Sequence, residues 1–168
     1  LRQEALRRLR IAENGRERLV ELVRERSRQL AQHRDARQVR ELVALADHPR
    51  ILAIGETGLD YYRLRGDLEW QRERFRTHIR AARESGKPLV VHTRSAADDT
   101  LAILREERAH EVGGVMHCFT ETWDVAAAAM ELGFHISFSG IVSFRNATAL
   151  HDVARRVPLE RMLIETDS

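Results

Sequence analysis

Five side chains able to ligate a cation lie at or just past the ends of short apolar runs. Glu56 follows Ile51–Ile54, His92 follows Leu89–Val91, His117 follows Gly114–Met116, and Glu165 and Asp167 follow Met162–Ile164. A lone histidine at a strand end is more often a hydrogen-bonded structural residue, so the set matters more than any member. Imidazoles combined with carboxylates suit Zn²⁺, Mn²⁺ or a mixed site with Mg²⁺, and a glutamate can bridge two ions through its two oxygens. Two such ions about 4 Å apart can share a water, lower its pKa and stabilise the entering and leaving oxygens of a phosphoryl displacement.

The spacing bears on how these residues meet. Glu56 to His92 is 36 residues, His92 to His117 is 25, and His117 to Asp167 is 50, two units of 25. The skipped unit, Phe134–Phe138, carries His135 in mid-run and ends at Ser139 and Gly140, with no obvious ligand. Between the runs lie amphipathic segments over 68–85, 96–109, 123–132 and 147–156, closed by signals such as Ser85-Gly86-Lys87-Pro88 and Leu132-Gly133. Repeated strand and helix, with strands apolar on both faces, predict an α/β protein: an open doubly wound sheet or part of a (β/α)₈ barrel. No strand leads into a dinucleotide-type or phosphate-cradling glycine loop, which favours the barrel. All C-terminal strand ends of a parallel barrel share one face, where residues distant in sequence meet. Gly55 and Gly58, flanking Glu56, are read as turn residues that aim its carboxylate at the barrel mouth.

Several other residues have two readings. Arg94, two residues past His92, either holds a phosphate or makes a surface ion pair. Asp60 either supports the metal ligands or caps the next segment. Tyr61 and Tyr62 either stack on an unpaired base or pack on the barrel rim. Cys118, the one cysteine, reads as a small buried residue, and Glu165 alternates onto the same face as Asp167.

The segments Ala53-Ile-Gly-Glu-Thr-Gly-Leu-Asp-Tyr-Tyr, Val91-His-Thr-Arg, Met116-His-Cys-Phe, Ile136-Ser-Phe-Ser-Gly-Ile and Ile164-Glu-Thr-Asp-Ser together resemble, in order and spacing, the TatD family of metal-dependent deoxyribonucleases. The resemblance covers residues 38–168 and implies an amidohydrolase-like (β/α)₈ barrel. It also implies hydrolysis of nucleic acid phosphodiesters, commonly 3′-to-5′ from single-stranded DNA ends, with two divalent ions, Mg²⁺ or Mn²⁺. By that resemblance Glu56 bridges the ions, His92 and His117 bind the second, and Asp167 binds a metal and orients or deprotonates the attacking water. The family's His-x-His pair, which binds the first ion, occurs nowhere in this chain.

Five strands are recognisable where a closed barrel has eight. The expectation is therefore a partial barrel lacking its first strands and final elements, hence a fragment with uncertain activity, whose open sheet would be prone to aggregate. Residues 1–40 carry 12 Arg against 6 acids, and the whole chain has 27 Arg to one Lys. Residues 1–37 are read as a separate basic segment, either a helical arm able to touch phosphates or, over residues 1 to about 34, text from a shifted reading frame. No apolar run of about 18 residues exists to cross a bilayer, so no membrane partner is expected and the cytoplasm is the default location. The expected partner is nucleic acid, and the complete protein is expected to be a monomer. Three other readings stay open: a related barrel hydrolase of an ester or amide such as an aminoacyl-tRNA linkage, a non-catalytic nucleic-acid-binding remnant, and a structural α/β fragment with no site.

Overall fold

A computed structural model describes residues 36–166. The basic segment ahead of Ala36, together with Asp167 and Ser168, lies outside the described residues. The described chain opens with α1 (Ala36–Ala46), then alternates β1 (Ile54–Asp60), α2 (Glu69–Ser85), β2 (Leu89–Arg94), α3 (Ala97–Glu106), β3 (Gly114–Met116), α4 (Trp123–Glu131), β4 (Phe134–Phe138), α5 (Thr148–Arg156) and β5 (Met162–Ile164).

The five strands form one parallel sheet in the order β1-β2-β3-β4-β5. Each strand lies beside its predecessor and the winding never reverses. A doubly wound sheet would show a switch point; sequential winding in one sense is that of a (β/α)₈ barrel wall. Among the described residues, the five strands form part of such a barrel wall, as expected. The outer edge of β5 is open among the described residues, with Leu163 and Ile164 exposed by 42% and 86%.

Alternation along the strands divides the sheet into two faces. Leu59, Leu89, Val91, Met116, Phe134, Ile136 and Phe138 are buried toward the helices. There they meet Phe75 and Ile79 of α2, Leu104 of α3, Ala129 of α4 and Val153 of α5 in one core. On α2 the buried positions Phe75, His78, Ile79 and Ala82 follow the i, i+3, i+4, i+7 spacing of one helix face. Full burial of a side chain such as Phe75 or Ile79 contributes roughly 1.5–3 kcal/mol. The expected stop after Ser85 is also present, where Lys87 N–H donates to the Ala82 carbonyl at 3.0 Å.

The first strand departs from expectation. It starts at Ile54 and runs through Glu56 to Asp60, so Glu56 lies inside the strand and Ile51–Ala53 precede it. The reason is β2. Ile54 N–H donates to the Pro88 carbonyl, and the pairing continues through Thr57 with Val91, Gly58 with His92 and Asp60 with Arg94. Gly55 and Gly58 are therefore strand residues rather than turn residues. A Cβ at Gly58 would stand 1.9 Å from the His92 carbonyl oxygen, and one at Gly55 would stand 2.6 Å from Val90. They permit a close approach of β1 to β2, which brings Glu56 to His92.

Candidate metal centre

On the face turned away from the helices, the C-terminal ends of β1, β2 and β3 and the residues after β5 assemble a chain of alternating carboxylates and imidazoles. Glu56 stands at its middle. Its Oε1 lies 3.3 Å from His92 Nδ1, and its Oε2 lies 3.9 Å from His117 Nε2. The outer nitrogen of each ring meets a further carboxylate: His92 Nε2 is 3.3 Å from Asp60 Oδ2, and His117 Nδ1 is 2.7 Å from Glu165 Oε2. Glu56, His117 and Glu165 keep 15–20% of their side-chain surface, so the centre is sheltered but reachable.

Backbone contacts hold each member in place. His117 N–H donates to Val91 O at 2.8 Å and Glu165 N–H to Phe138 O at 3.0 Å, extending the ladders by one residue beyond β3 and β5. The other Glu165 oxygen accepts the Cys118 N–H at 2.5 Å. Asp60 is held by Gln71 of α2, whose amide oxygen accepts the Asp60 N–H at 2.9 Å while its NH₂ donates to the Asp60 carbonyl at 3.0 Å. On the opposite, helix-facing side of β1, Thr57 Oγ1 lies 2.6 Å from Nδ1 of the buried His78.

The donor set suits a divalent cation. An ionised Glu165 can only accept, so it places the proton of a neutral His117 ring on Nδ1 and leaves the Nε2 lone pair facing Glu56. That nitrogen and the Glu56 oxygen, 3.9 Å apart, are too distant to hydrogen-bond to each other, and both are of a type that ligates a divalent cation. No group of three ligating side chains among the described residues encloses one common point. The contacts are pairwise, between imidazole and carboxylate.

Of the residues singled out in the sequence, Glu56, His92 and His117 come together, and Asp167 lies outside the described residues. Asp60 Oδ1 accepts the Tyr62 N–H at 2.9 Å, a local turn contact that does not cap α2, while Oδ2 lies 3.3 Å from His92 Nε2. Arg94 forms no ion pair among the described residues; its guanidinium lies 3.9 Å above the Tyr62 ring. Tyr61 packs on the rim, donating to Asp99 Oδ2 at 2.7 Å, and Arg72 reaches the same hydroxyl at 3.1 Å. Burial pushes the Tyr61 phenol up, and the Asp99 hydrogen bond adds to it. Cys118 is half-buried rather than buried, because its backbone adopts φ +45° and brings Sγ to 3.2 Å from Ser139 Oγ. His135 lies beside Val115, on the face that carries His117.

Two contributors had no signal in the sequence: Gln71 and Glu121. The last sits on the loop after His117 and accepts a hydrogen bond from the Ser95 backbone. Burial pushes its carboxyl above the ordinary range and nearby Asp98 adds to this, while the Ser95 N–H and His92 oppose it.

A family model described as TatD related DNase matches residues 18–168, nearly the whole chain. The chain belongs to the TatD family. The match begins inside the basic front segment. The metal-dependent hydrolase YcfH of Escherichia coli K12, itself uncharacterized, is 54% identical over 134 residues, covering 80% of this chain and 51% of YcfH. The protein named 3′-5′ ssDNA/RNA exonuclease TatD, from Edwardsiella piscicida, is 35% identical over 129 residues, covering 76% of this chain and 50% of its own. Among solved structures, the TatD homologue YJJV of Escherichia coli superposes with a TM-score of 0.69 at 27% identity, over 83% of this chain and 54% of that one. The chain thus spans about half the length of the curated relatives it matches. Membership of a family of metal-dependent hydrolases accords with the donor set, and no described helix is long and apolar enough to cross a membrane.

Proposed function

We propose that the protein carrying this chain hydrolyses phosphodiester bonds of nucleic acid, removing nucleotides from single-stranded 3′ ends, with Mg²⁺ or Mn²⁺ held by Glu56, His92, His117 and Asp167. The observation that carries the reading is the Glu56 carboxylate set between two imidazoles, each with its far nitrogen engaged by another carboxylate. When bound, divalent ions supply Lewis-acid polarisation of the phosphoryl oxygens and lower the pKa of a coordinated water.

The protein's own groups do the rest. Glu56, with one oxygen toward each histidine, fixes the separation of the two halves of the centre. Glu165 and Asp60 hold the rings of His117 and His92, so their inner nitrogens stay aimed at Glu56. Asp167, two residues beyond Glu165, is the carboxylate assigned to orient the attacking water and accept its proton. Arg94, at the mouth and without an acidic partner among the described residues, takes a phosphate through two parallel N–H donors.

The test is release of mononucleotides from a single-stranded DNA by the full protein. Turnover that requires Mg²⁺ or Mn²⁺, stops in EDTA and disappears in His117→Ala supports the reading. Turnover of an aminoacyl ester with none of the oligonucleotide, or oligonucleotide cleavage indifferent to EDTA, would replace it.

A further inference from the structure

Four arginines of α2 and three at the C-terminal end of the sheet differ in their partners. On α2, Arg72, Arg76, Arg80 and Arg83 are all tied to glutamates. At the C-terminal end of the sheet, Arg63, Arg65 and Arg94 form no ion pair among the described residues. Two of these three cluster on one aromatic ring: the Arg94 guanidinium stands 3.9 Å from the Tyr62 centroid and that of Arg63 stands 5.3 Å from it. The ring is 51% exposed.

Its placement is rigid where it matters. The Tyr61 N–H donates to the Arg94 carbonyl, continuing the ladder past β1, and the Tyr62 N–H is held by Asp60 Oδ1. Asp60 also faces His92, and Arg94 is the register partner of Asp60. The arginine is therefore two residues from His92 along β2, and the tyrosine is two residues past Asp60, the last residue of β1. An exposed tyrosine backed by cations that lack acidic partners is poorly explained as packing. A sugar-phosphate chain with an unpaired base supplies what both lack: phosphate oxygens for the guanidinium groups and a π-face for the ring.

We infer that Tyr62, Arg94 and Arg63 form a nucleotide subsite beside the metal centre, in which Tyr62 stacks on an unpaired base and the two arginines hold its flanking phosphates. The inference rests on the phosphodiesterase reading for its biological substrate, but its chemistry is separable from cleavage. A paired base presents no free face to Tyr62, so the subsite selects single strands over duplex.

Binding measured in EDTA separates the two. The full protein is titrated into a fluorescein-labelled dT pentamer and into an abasic deoxyribose-phosphate pentamer of the same charge, with anisotropy as the readout. The expected result is tighter binding of the base-bearing strand, a loss of about 5- to 100-fold in Tyr62→Leu, and wild-type affinity in Tyr62→Phe, which keeps the ring. Tyr62→Leu should leave abasic binding unchanged. Arg94→Ala should weaken both probes and reduce the slope of log K against log salt by about 0.7. Equal wild-type affinity for the two probes, an equal loss of both in Tyr62→Leu, or no binding of either overturns the subsite. If nuclease activity is absent while the base-dependent binding holds, the function proposed above fails and the subsite stands.

Discussion

The carboxylate of Glu165 joins two neighbouring residues of the loop after β3: Oε2 meets His117 Nδ1 at 2.7 Å and Oε1 accepts the Cys118 N–H at 2.5 Å. Both contacts use donors of the other partner, so both oxygens must be acceptors. A glutamine offers one acceptor and turns an NH₂ toward the second donor.

Glu165→Gln should therefore misorient the His117 ring with little effect on the fold. The expected outcome in the full protein is a loss of about 10- to 100-fold in Mn²⁺ affinity, with a thermal midpoint within a few degrees of wild type. Calorimetric titration of Mn²⁺ beside a melting curve checks it. An unchanged Mn²⁺ affinity would remove Glu165 from the centre.

Gly58 is where the fold and the centre depend on the same missing atom. A Cβ there would lie 1.9 Å from the His92 carbonyl oxygen, at a backbone φ of +134°. Neither the carbonyl nor the strand can yield without breaking the β1–β2 ladder. Gly58→Ala should destabilise by roughly 4 kcal/mol or more, among the largest single-residue effects. Gly66→Ala, with nothing within 4 Å of the new atom, should cost far less. Urea unfolding of both variants decides it; equal losses would mean that backbone conformation matters and the contact does not.

The strand-and-helix alternation was legible in the sequence because parallel strands covered by helices are apolar on both faces, and turn signals such as Ser85-Gly86-Lys87-Pro88 bound the helices. The position of β1 was not. Its residues, Ile54-Gly-Glu-Thr-Gly-Leu-Asp, hold two glycines and two acids, a poor strand by composition, and pairing with β2 overrides that preference. Glu56, His92 and His117 could be picked out because each closes an apolar run. Gln71 could not, because a glutamine in the first turn of a helix is an ordinary surface residue until the fold turns its amide onto Asp60. His78 was hidden for a similar reason, as its i+3 spacing from Phe75 reads as plain core.

His78 makes the fold sensitive to acid. Burial, reinforced by the positive charge of Arg74, depresses its pKa from 6.5 to about 3. The unfolded chain then binds a proton between those values that the folded chain refuses. The contribution is fully present above pH 6.5 and is lost as the pH falls toward 3, at up to about 1.4 kcal/mol per pH unit. Urea midpoints measured from pH 7 to pH 5 should fall in the wild type and fall less steeply in His78→Gln. Parallel slopes would show that His78 takes its proton without unfolding cost.

The pair between α2 and the end of α3 separates a buried charge from an exposed one. Arg80 grips Glu107 through both guanidinium donors, and the Glu107 side chain is only 9% exposed, whereas Arg108 is 61% exposed where it meets Glu111. Arg80→Ala strands a buried carboxylate and should cost about 3 kcal/mol, while Arg108→Ala should cost under about 1 kcal/mol. Replacing both partners, as Arg80→Leu with Glu107→Leu, removes the stranded charge and should recover most of the loss. Chemical denaturation of the three variants checks the order. If the double variant is as weak as Arg80→Ala, the ion pair itself holds α2 to α3, and burial of an unpaired carboxylate is not the cause.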